Sequence, residues 1–136
     1  MSLFYLQVGK NHLTLKNLDT QKTASATAAF STQRLLIGQF FIAESCLYQL
    51  APQVLPGFIN QLKHRHFRTD IVVHAQDMLE GGVSQVEQRT LEEFVVASFR
   101  KAYSSVFADP QALSDEAVRR IIQMKSREVI TAANLK

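Results

Sequence analysis

The sequence predicts an α/β domain whose sheet is at least partly parallel. The strongest signal lies in residues 69–108, where a short apolar strand, a long amphipathic helix and a second strand follow one another. A strand–helix–strand unit of this length is typical of parallel strands joined by a crossover helix. Two more strands near the N-terminus, separated by a tight turn, add an antiparallel hairpin to the predicted sheet.

The N-terminal part of the chain predicts an antiparallel meander of three strands. Residues 3–8 and 12–18 alternate in side-chain pattern on the two sides of a turn that begins at Gly9. The first strand is apolar on nearly both faces, so we expect it in the centre of the sheet, beside a half-exposed second strand. Residues 23–30 are rich in alanine and threonine and are interpreted as a third strand at the edge.

The middle of the chain leaves two interpretations open. Residues 35–37 are predicted to end a short strand, and residues 42–50 to form a helix. Pro52 and Pro56 argue against one continuous helix, because an interior proline costs about 3 kcal/mol. Pro56 is instead expected to start a second helix, so residues 31–56 form either a strand and a helix or two helices.

The helix that begins at Ser84 is predicted from two independent patterns. Ser84 and Glu87 have the spacing of a capping box, in which each side chain bonds a free backbone amide of the first turn. Small and apolar residues then recur with helical spacing at Leu91, Phe94, Val95, Ser98, Phe99 and Ala102. This stripe predicts a helix that continues to the next strand at Tyr103, with Arg100 and Lys101 at the negative end of its dipole.

The C-terminal part of the chain predicts one last helix over about residues 114–133. Pro110 interrupts the chain before it, and Ser114 or Asp115 caps its start. Its apolar stripe is interrupted once, at Lys125, and consists of Val118, Ile121, Ile122, Val129, Ile130 and Ala133.

Composition places residues 1–136 among ordinary single-domain globular proteins. Hydrophobic residues make up 46% of the chain and charged residues 20%, which argues against a disordered chain. The net charge of +3 is too small to indicate nucleic-acid binding, and no apolar run reaches the roughly 18–20 residues of a membrane span. Cys46 is the single cysteine, which excludes an internal disulfide and favours a reduced, cytoplasmic setting.

No complete catalytic or metal-binding signature is present in the sequence. The phosphate-loop, dinucleotide-binding and nucleophile-elbow motifs are all missing. His64 and His66 have no carboxylate or cysteine at a spacing that completes a metal site, and the basic segment 63–68 around them is interpreted as a solvated helix end. His12 and His74 are isolated and are interpreted as turn or strand-end residues. We therefore expect no catalytic residue, no metal and no cofactor.

An apolar strand at residues 70–75, Asp-Ile-Val-Val-His-Ala, is followed at residues 82–93 by Gly-Val-Ser-Gln-Val-Glu-Gln-Arg-Thr-Leu-Glu-Glu. The hairpin at residues 5–15 precedes them, and Val-Phe-Ala-Asp-Pro at residues 106–110 follows. Together these segments resemble the bacterial actin-like, rod-shape-determining (MreB) family, over roughly residues 3–110 and over the first half of an actin only. The resemblance implies a ribonuclease H-like, actin-type fold, with an antiparallel meander, then parallel strands, and helices packed on the sheet.

The sequence departs from that family at the first phosphate loop. The family has Asp-x-Gly-Thr there, and the corresponding residues here are Gln7, Val8, Gly9 and Lys10. Gln7 lacks the negative charge that a cation such as Mg²⁺ usually requires. Glu87 falls on the glutamate with which the family orients the attacking water, although the capping box already gives it a structural role. The resemblance therefore implies a degenerate pocket that does not hydrolyse ATP.

The resemblance favours a non-catalytic interaction or scaffold module, not an enzyme, in bacterial cytoskeletal or envelope assembly. A half-actin exposes apolar surface that its sister domain would cover, so we expect a protein partner or homo-oligomer and no nucleic acid. One alternative is an ATP-binding actin-like fragment that a second chain completes. Another is a nucleic-acid-processing relative of the ribonuclease H fold, although that chemistry needs clustered carboxylates and Gln7 stands where one is expected.

Overall fold

The computed structural model describes residues 2–55 and 68–135, which form one mixed β-sheet with helices packed on its two faces. The strands are β1 (Ser2–Gly9), β2 (His12–Asn17), β3 (Thr23–Thr27), β4 (Thr69–Ala75), β5 (Ala102–Ala108) and β6 (Ile130–Thr131). The helices are α1 (Phe40–Leu50), α2 (Gln85–Phe94) and α3 (Asp115–Met124), with short 3-10 helices at Ala51–Val54 and Ala132–Leu135.

The sheet has the order β3-β2-β1-β4-β5-β6, and the direction of pairing changes at β1. The pairs β1–β2 and β2–β3 are antiparallel, whereas β1–β4, β4–β5 and β5–β6 are parallel. The predicted α/β domain with a mixed sheet is therefore confirmed, with β1 inside the sheet and β3 at its edge. β1 can take this place because Phe4, Leu6 and Val8 on one face and Tyr5 on the other are all buried.

Each face of the sheet carries its own layer of core side chains. One layer packs beneath α1 and α2 and includes Phe4, whose ring centroid lies 4.9 Å from that of Phe99. The opposite layer packs beneath α3 and includes Tyr5, Val72 and Phe107. Because successive residues of a strand point to opposite faces, β1 contributes to both layers.

The segment between β3 and α1, which is described throughout, contains no strand, so the predicted strand end at residues 35–37 is wrong. The chain folds back on Phe30, whose carbonyl oxygen accepts the N–H groups of Gly38 and Gln39 at 2.8 and 2.7 Å. Gly38 leaves no room for a side chain, since a Cβ atom there would collide with Thr32. Residues 35–37 therefore lie in a compact turn, and part of this apolar run reaches the core from that turn and not from a strand.

The predicted helix over residues 42–50 is confirmed as α1, which begins slightly earlier. Pro52 lies in the first turn of the 3-10 helix that follows, where a proline is tolerated because its missing N–H is not needed. Up to residue 55, the middle of the chain therefore holds one α-helix and one 3-10 helix. The predicted helix from Pro56 lies outside the described residues, as does most of the basic segment.

α2 begins as predicted but ends earlier. Ser84 Oγ accepts the Glu87 backbone N–H, and the Glu87 carboxylate accepts that of Ser84, both at 3.1 Å, so the capping box is confirmed. After Phe94 the chain continues in tight turns, in which the Phe99 N–H donates to the Val95 carbonyl oxygen at 2.8 Å. The predicted continuation of the helix to the next strand is wrong, because these turns bury the apolar stripe without forming a helix. The two basic residues expected at the end of the helix also lie in these turns.

α3 is capped by Ser114, whose Oγ accepts a first-turn N–H at 3.2 Å, but it ends at Met124, well before the predicted boundary. Lys125 has a φ of 48° and a ψ of 42°, the left-handed conformation that ends a helix. The chain then extends, and Ile130 in β6 pairs with Phe107. The prediction of a single helix is wrong here. Ile130 fits the spacing of the helical stripe, but it is buried as a residue of strand β6.

Replacing Lys125 with glycine should raise the free energy of unfolding by about 0.5–1 kcal/mol. Glycine adopts the left-handed conformation without the steric cost that lysine carries, and this gain exceeds the extra entropy of glycine in the unfolded chain. Met124→Gly, one residue earlier and still helical, is the matched control and should lower the same free energy by about 1 kcal/mol. Urea unfolding followed by circular dichroism measures both, and a less stable Lys125→Gly variant would contradict the expected gain.

Candidate functional site

The carboxyl ends of the parallel strands β1, β4 and β5 lie at one edge of the sheet, where open α/β sheets usually bind ligands. The loops after β4 and β5 border an open cleft of about 760 Å³ there. This carboxyl-end cleft is lined by Gln33, Arg34, Gln76, Asp77, Met78, Leu79, Glu80 and Pro110. It is the natural place in this fold for a ligand site.

The turn after β1 is closed by a carboxylate from the loop after β4. The Lys10 backbone N–H donates to Asp77 Oδ2 at 2.7 Å. A Cβ atom at Gly9 would lie only 3.1 Å from the same oxygen, so glycine gives the carboxylate room to approach. The Gln76 N–H also donates to the Val8 carbonyl oxygen at 3.0 Å. The turn of Gly9 and Lys10, which corresponds to the phosphate loop of the resemblance, thus already binds a negative group of the chain itself through the Lys10 N–H.

Glu87 and Gln7, the other two predicted positions, lie apart from this turn. Glu87 is in the first turn of α2, where the capping box holds it, and it lines a small cavity together with Asp77. Gln7 is half-buried in β1, in register with Thr14 and His74, and lines neither this cavity nor the cleft. The structure therefore brings Asp77 and Glu87 together without Gln7.

The small cavity beside α2 is mostly apolar. Its volume is about 70 Å³, and its walls include Leu36, Ile37, Leu79 and Leu91. Small-molecule sites measure about 300–1,000 Å³, so this cavity has room for a few water molecules or one small apolar group. Its size is that of a gap in the packing, not of a nucleotide pocket.

A buried chain of hydrogen bonds links β1, β4 and the loop after β5. His74 Nε2 lies 2.8 Å from the Asp109 carbonyl oxygen, and the Tyr5 hydroxyl lies 2.6 Å from His74 Nδ1. A carbonyl oxygen only accepts, so Nε2 carries the proton and Nδ1 accepts from Tyr5. Tyr5 Oη in turn accepts the Leu113 N–H at 2.9 Å. His74 lies near a strand end as predicted, but the interpretation of it as isolated is wrong, because its partners are distant in the sequence.

Burial keeps both side chains of this hydrogen-bond network, Tyr5 and His74, neutral. It lowers the pKa of His74, an effect that the hydrogen bond to the Asp109 carbonyl and the Asp109 charge partly offset. It also raises the pKa of Tyr5 to about 12, against the opposing effect of the Leu113 N–H. A neutral and fully bonded pair holds the loop after β5 against the sheet.

In residues 2–55 and 68–135, no group of three or more histidine, cysteine, aspartate or glutamate side chains is placed to hold a metal ion. Cys46 is buried on α1, and burial raises the pKa of its thiol, which disfavours the reactive thiolate. The expectation of no metal and no cofactor stays a prediction.

Three large apolar side chains of α1 are exposed, and two of them, Phe41 and Ile42, border the edge strand β3. Phe41 is 79% exposed, and Ile42 and Tyr48 are 43% and 45% exposed. A groove of about 420 Å³ runs between α1 and β3, and we define β3 and these three side chains as the edge surface. The apolar pair at positions 41 and 42 could have revealed it, since a helix cannot turn every side of its first turn to the core. None of the described helices is long and apolar enough to cross a membrane.

One curated protein matches nearly the whole chain. It is YjaA of Escherichia coli (strain K12), described as uncharacterized, which is 40% identical over 127 residues. The match covers 92% of this chain and 100% of that protein. The chain belongs to the YjaA family. No protein-family model matches the chain, and no solved structure matches it.

This member of the YjaA family thus carries two candidate sites of different kinds. The carboxyl-end cleft has the usual position of a ligand site, but the Asp77 carboxylate already accepts the backbone N–H of the turn beside it. The edge surface offers apolar side chains next to a strand that has a neighbour on one side only in the described sheet.

Proposed function

We propose that this chain is a non-catalytic interaction or scaffold module with a ribonuclease H-like, actin-type fold. The observation that carries the proposal is the edge surface, where Phe41, Ile42 and Tyr48 of α1 are exposed and the first two border β3. Exposed apolar patches typically mark protein interaction sites. Their burial against a partner is favourable by roughly 25 cal/mol per Å² of apolar area.

The arrangement of the strands supports the fold that we propose. An antiparallel meander (β1 to β3) is followed by parallel strands (β4 to β6), and helices pack on the two faces of the sheet. The resemblance to the actin-like family implies the same arrangement. The resemblance also suggests the setting, in which a cytoplasmic module joins larger proteins in bacterial cytoskeletal or envelope assembly.

The turn after β1 supports the non-catalytic part of the proposal. In the family that the sequence resembles, this turn faces nucleotide phosphates. Here the Lys10 N–H is bound to the Asp77 carboxylate, so a phosphate would have to displace that carboxylate and would meet its negative charge. Gln7 supplies no charge for a bound Mg²⁺.

Mg-ATP should leave the thermal unfolding midpoint of the chain unchanged. A ligand at 100 times its dissociation constant would add about 2.7 kcal/mol to the stability of the folded state, a shift of several degrees in Tm. Differential scanning calorimetry with and without Mg-ATP measures it. If Asp77→Ala, which frees the Lys10 amide, gains a Tm shift with Mg-ATP, the carboxylate is the group that excludes phosphate. A higher Tm of the unmodified chain with Mg-ATP would contradict the proposal and favour the ATP-binding alternative.

Photo-crosslinking in cells tests the interaction part of the proposal. A photoreactive phenylalanine analogue is placed at Phe41 in one variant and at Gln123, exposed on α3, in the control. We expect covalent protein adducts from position 41 and few from position 123. Equal labelling at the two positions, or no adduct from position 41, would contradict an interaction through the edge surface.

A further inference from the structure

The backbone of β3 bonds β2 on one side of the strand. The Ala28 N–H donates to the Asn11 carbonyl oxygen at 3.1 Å, and the Lys22 carbonyl oxygen accepts the Asn17 N–H at 2.9 Å. These two bonds bracket β3 and show that its even-numbered residues direct their backbone groups toward β2. Backbone direction alternates along a strand, so the odd-numbered residues direct theirs away from the sheet.

Three residues of β3 therefore form an outward-facing ladder. Thr23, Ser25 and Thr27 direct their N–H and C=O groups to the outside, because β3 is the last strand on its side of the described sheet. Such an edge is a template for another strand, and soluble proteins usually protect it with lysine, proline or a bulge. β3 has the ordinary length of a strand, and its five residues include no charge and no proline.

The sequence of β3 is a palindrome, Thr-Ala-Ser-Ala-Thr. If two copies pair in antiparallel fashion about a two-fold axis at Ser25, Thr23 of one copy lies opposite Thr27 of the other. Ser25 then lies opposite Ser25 of the second copy. In this register all three outward-facing residues belong to hydrogen-bonded pairs, each of which exchanges two backbone bonds. A shifted register would leave an outward-facing residue of each β3 without an opposite β3 residue.

The same pairing brings the groove between α1 and β3 of each copy to the joint between the two sheets. α1 packs on the face of the sheet that carries Ala24 and Ala26, next to the edge strand. A two-fold axis perpendicular to the joined sheet places the two α1 helices on the same face of that sheet, and Phe41 borders the groove beside β3 in each copy.

The absence of charge at the groove is compatible with a second copy as the occupant. None of the residues that line the groove between α1 and β3 is charged. Each chain carries a net charge of +3, so two copies repel each other weakly at a distance. Because the groove carries no charge, two positively charged copies can approach there without placing like charges against each other.

We propose that a second copy of this chain occupies the edge surface, pairing β3 with β3 about a two-fold axis at Ser25 and α1 with α1. The inference rests on the proposed interaction function and names its partner. The two sheets become one continuous sheet across the dimer, and the same patch of each copy forms both sides of the interface.

A charge swap at the two-fold axis tests this register. Ser25 is exposed, so Ser25→Lys and Ser25→Glu each place a charge opposite its own copy without changing the core. Size-exclusion chromatography with light scattering should give the unmodified chain twice its 15.3 kDa mass. Each variant alone should show a dimer dissociation constant raised roughly fivefold or more, and an equimolar mixture should form a Lys–Glu mixed dimer. Gln123→Lys adds the same charge on α3 and should dimerise like the unmodified chain.

Three outcomes decide the inference. A mixed dimer of the two charge variants supports it, because this register places residue 25 opposite itself. An unmodified chain that stays monomeric overturns it, as does a dimer that is unchanged by Ser25→Lys. Those two results leave the interaction function standing if photo-crosslinking at position 41 yields an adduct with a different protein.

Discussion

Replacing Phe4 with alanine should lower the free energy of unfolding by about 3–5 kcal/mol. Phe4 is fully buried on the inner strand β1, and its ring centroid lies 4.9 Å from that of Phe99. Removal of the ring forfeits its transfer free energy and leaves a cavity. That cavity cannot close easily, because β2 and β4 hold the backbone of β1 on both sides.

Phe41→Ala is the matched control, since it removes the same side chain from a position that is 79% exposed. It should change the free energy of unfolding by less than about 0.5 kcal/mol. Both substitutions are made in the Ser25→Lys background and compared at the same low protein concentration, so that self-association adds little to the stability of either protein. Urea unfolding followed by circular dichroism gives the two values. Equal losses at the two positions would contradict the placement of Phe4 in the core.

The predicted elements that proved right depend on local patterns. The capping box of Ser84 and Glu87 involves two residues three positions apart, and its geometry follows from the sequence alone. The inner position of β1 follows from its apolar side chains on both faces, which need cover from two layers. The edge position of β3 follows in the same way from its alternation of half-buried alanine with exposed threonine and serine.

The errors arose where one pattern satisfies two structures. Ile130 continues the helical stripe of α3, yet it is buried equally well from β6, and the left-handed Lys125 decides between them. The contacts at the candidate site could not be predicted from local patterns, because they join residues far apart in the chain. Lys10 and Asp77 are 67 positions apart, so no local pattern could reveal that a carboxylate closes the turn after β1.

Replacing Tyr5 with phenylalanine should lower the free energy of unfolding by about 2–3 kcal/mol at neutral pH. The ring stays, but the Leu113 N–H and His74 Nδ1 lose their partner in the protein interior. Each unsatisfied buried polar group costs about 1–3 kcal/mol. Tyr103→Phe is the control, because it removes a surface hydroxyl that donates to the Lys125 carbonyl oxygen at 3.1 Å. It should cost less than about 1 kcal/mol.

The Tyr5 hydroxyl also gives the chain an alkaline pH dependence that the Tyr5→Phe variant lacks. Burial raises the pKa of Tyr5 to about 12, whereas a tyrosine in an unfolded chain has a pKa of about 10. Between these pH values the unfolded state has released a proton that the folded state keeps, so stability falls as pH rises. Each pH unit in this window costs about 1.4 kcal/mol, a total of about 2–3 kcal/mol.

The acidic side of the pH range involves His74, with the opposite sign. Burial lowers the pKa of His74, so as pH falls below about 6.5 the unfolded state binds a proton before the folded state does. Stability therefore decreases on acidification until the folded-state pKa is reached.

Urea unfolding of the unmodified chain and of Tyr5→Phe, repeated from about pH 9 to about pH 12, isolates the contribution of Tyr5. Alkaline effects on other groups are common to both proteins and cancel in the difference. We expect the stability advantage of the unmodified chain to shrink across this window, because the hydroxyl that provides it is the group whose ionisation favours unfolding. An advantage that stays constant would mean that the hydroxyl ionises equally easily in the folded and unfolded chains. It would contradict the buried sequence of hydrogen bonds from Leu113 through Tyr5 to His74.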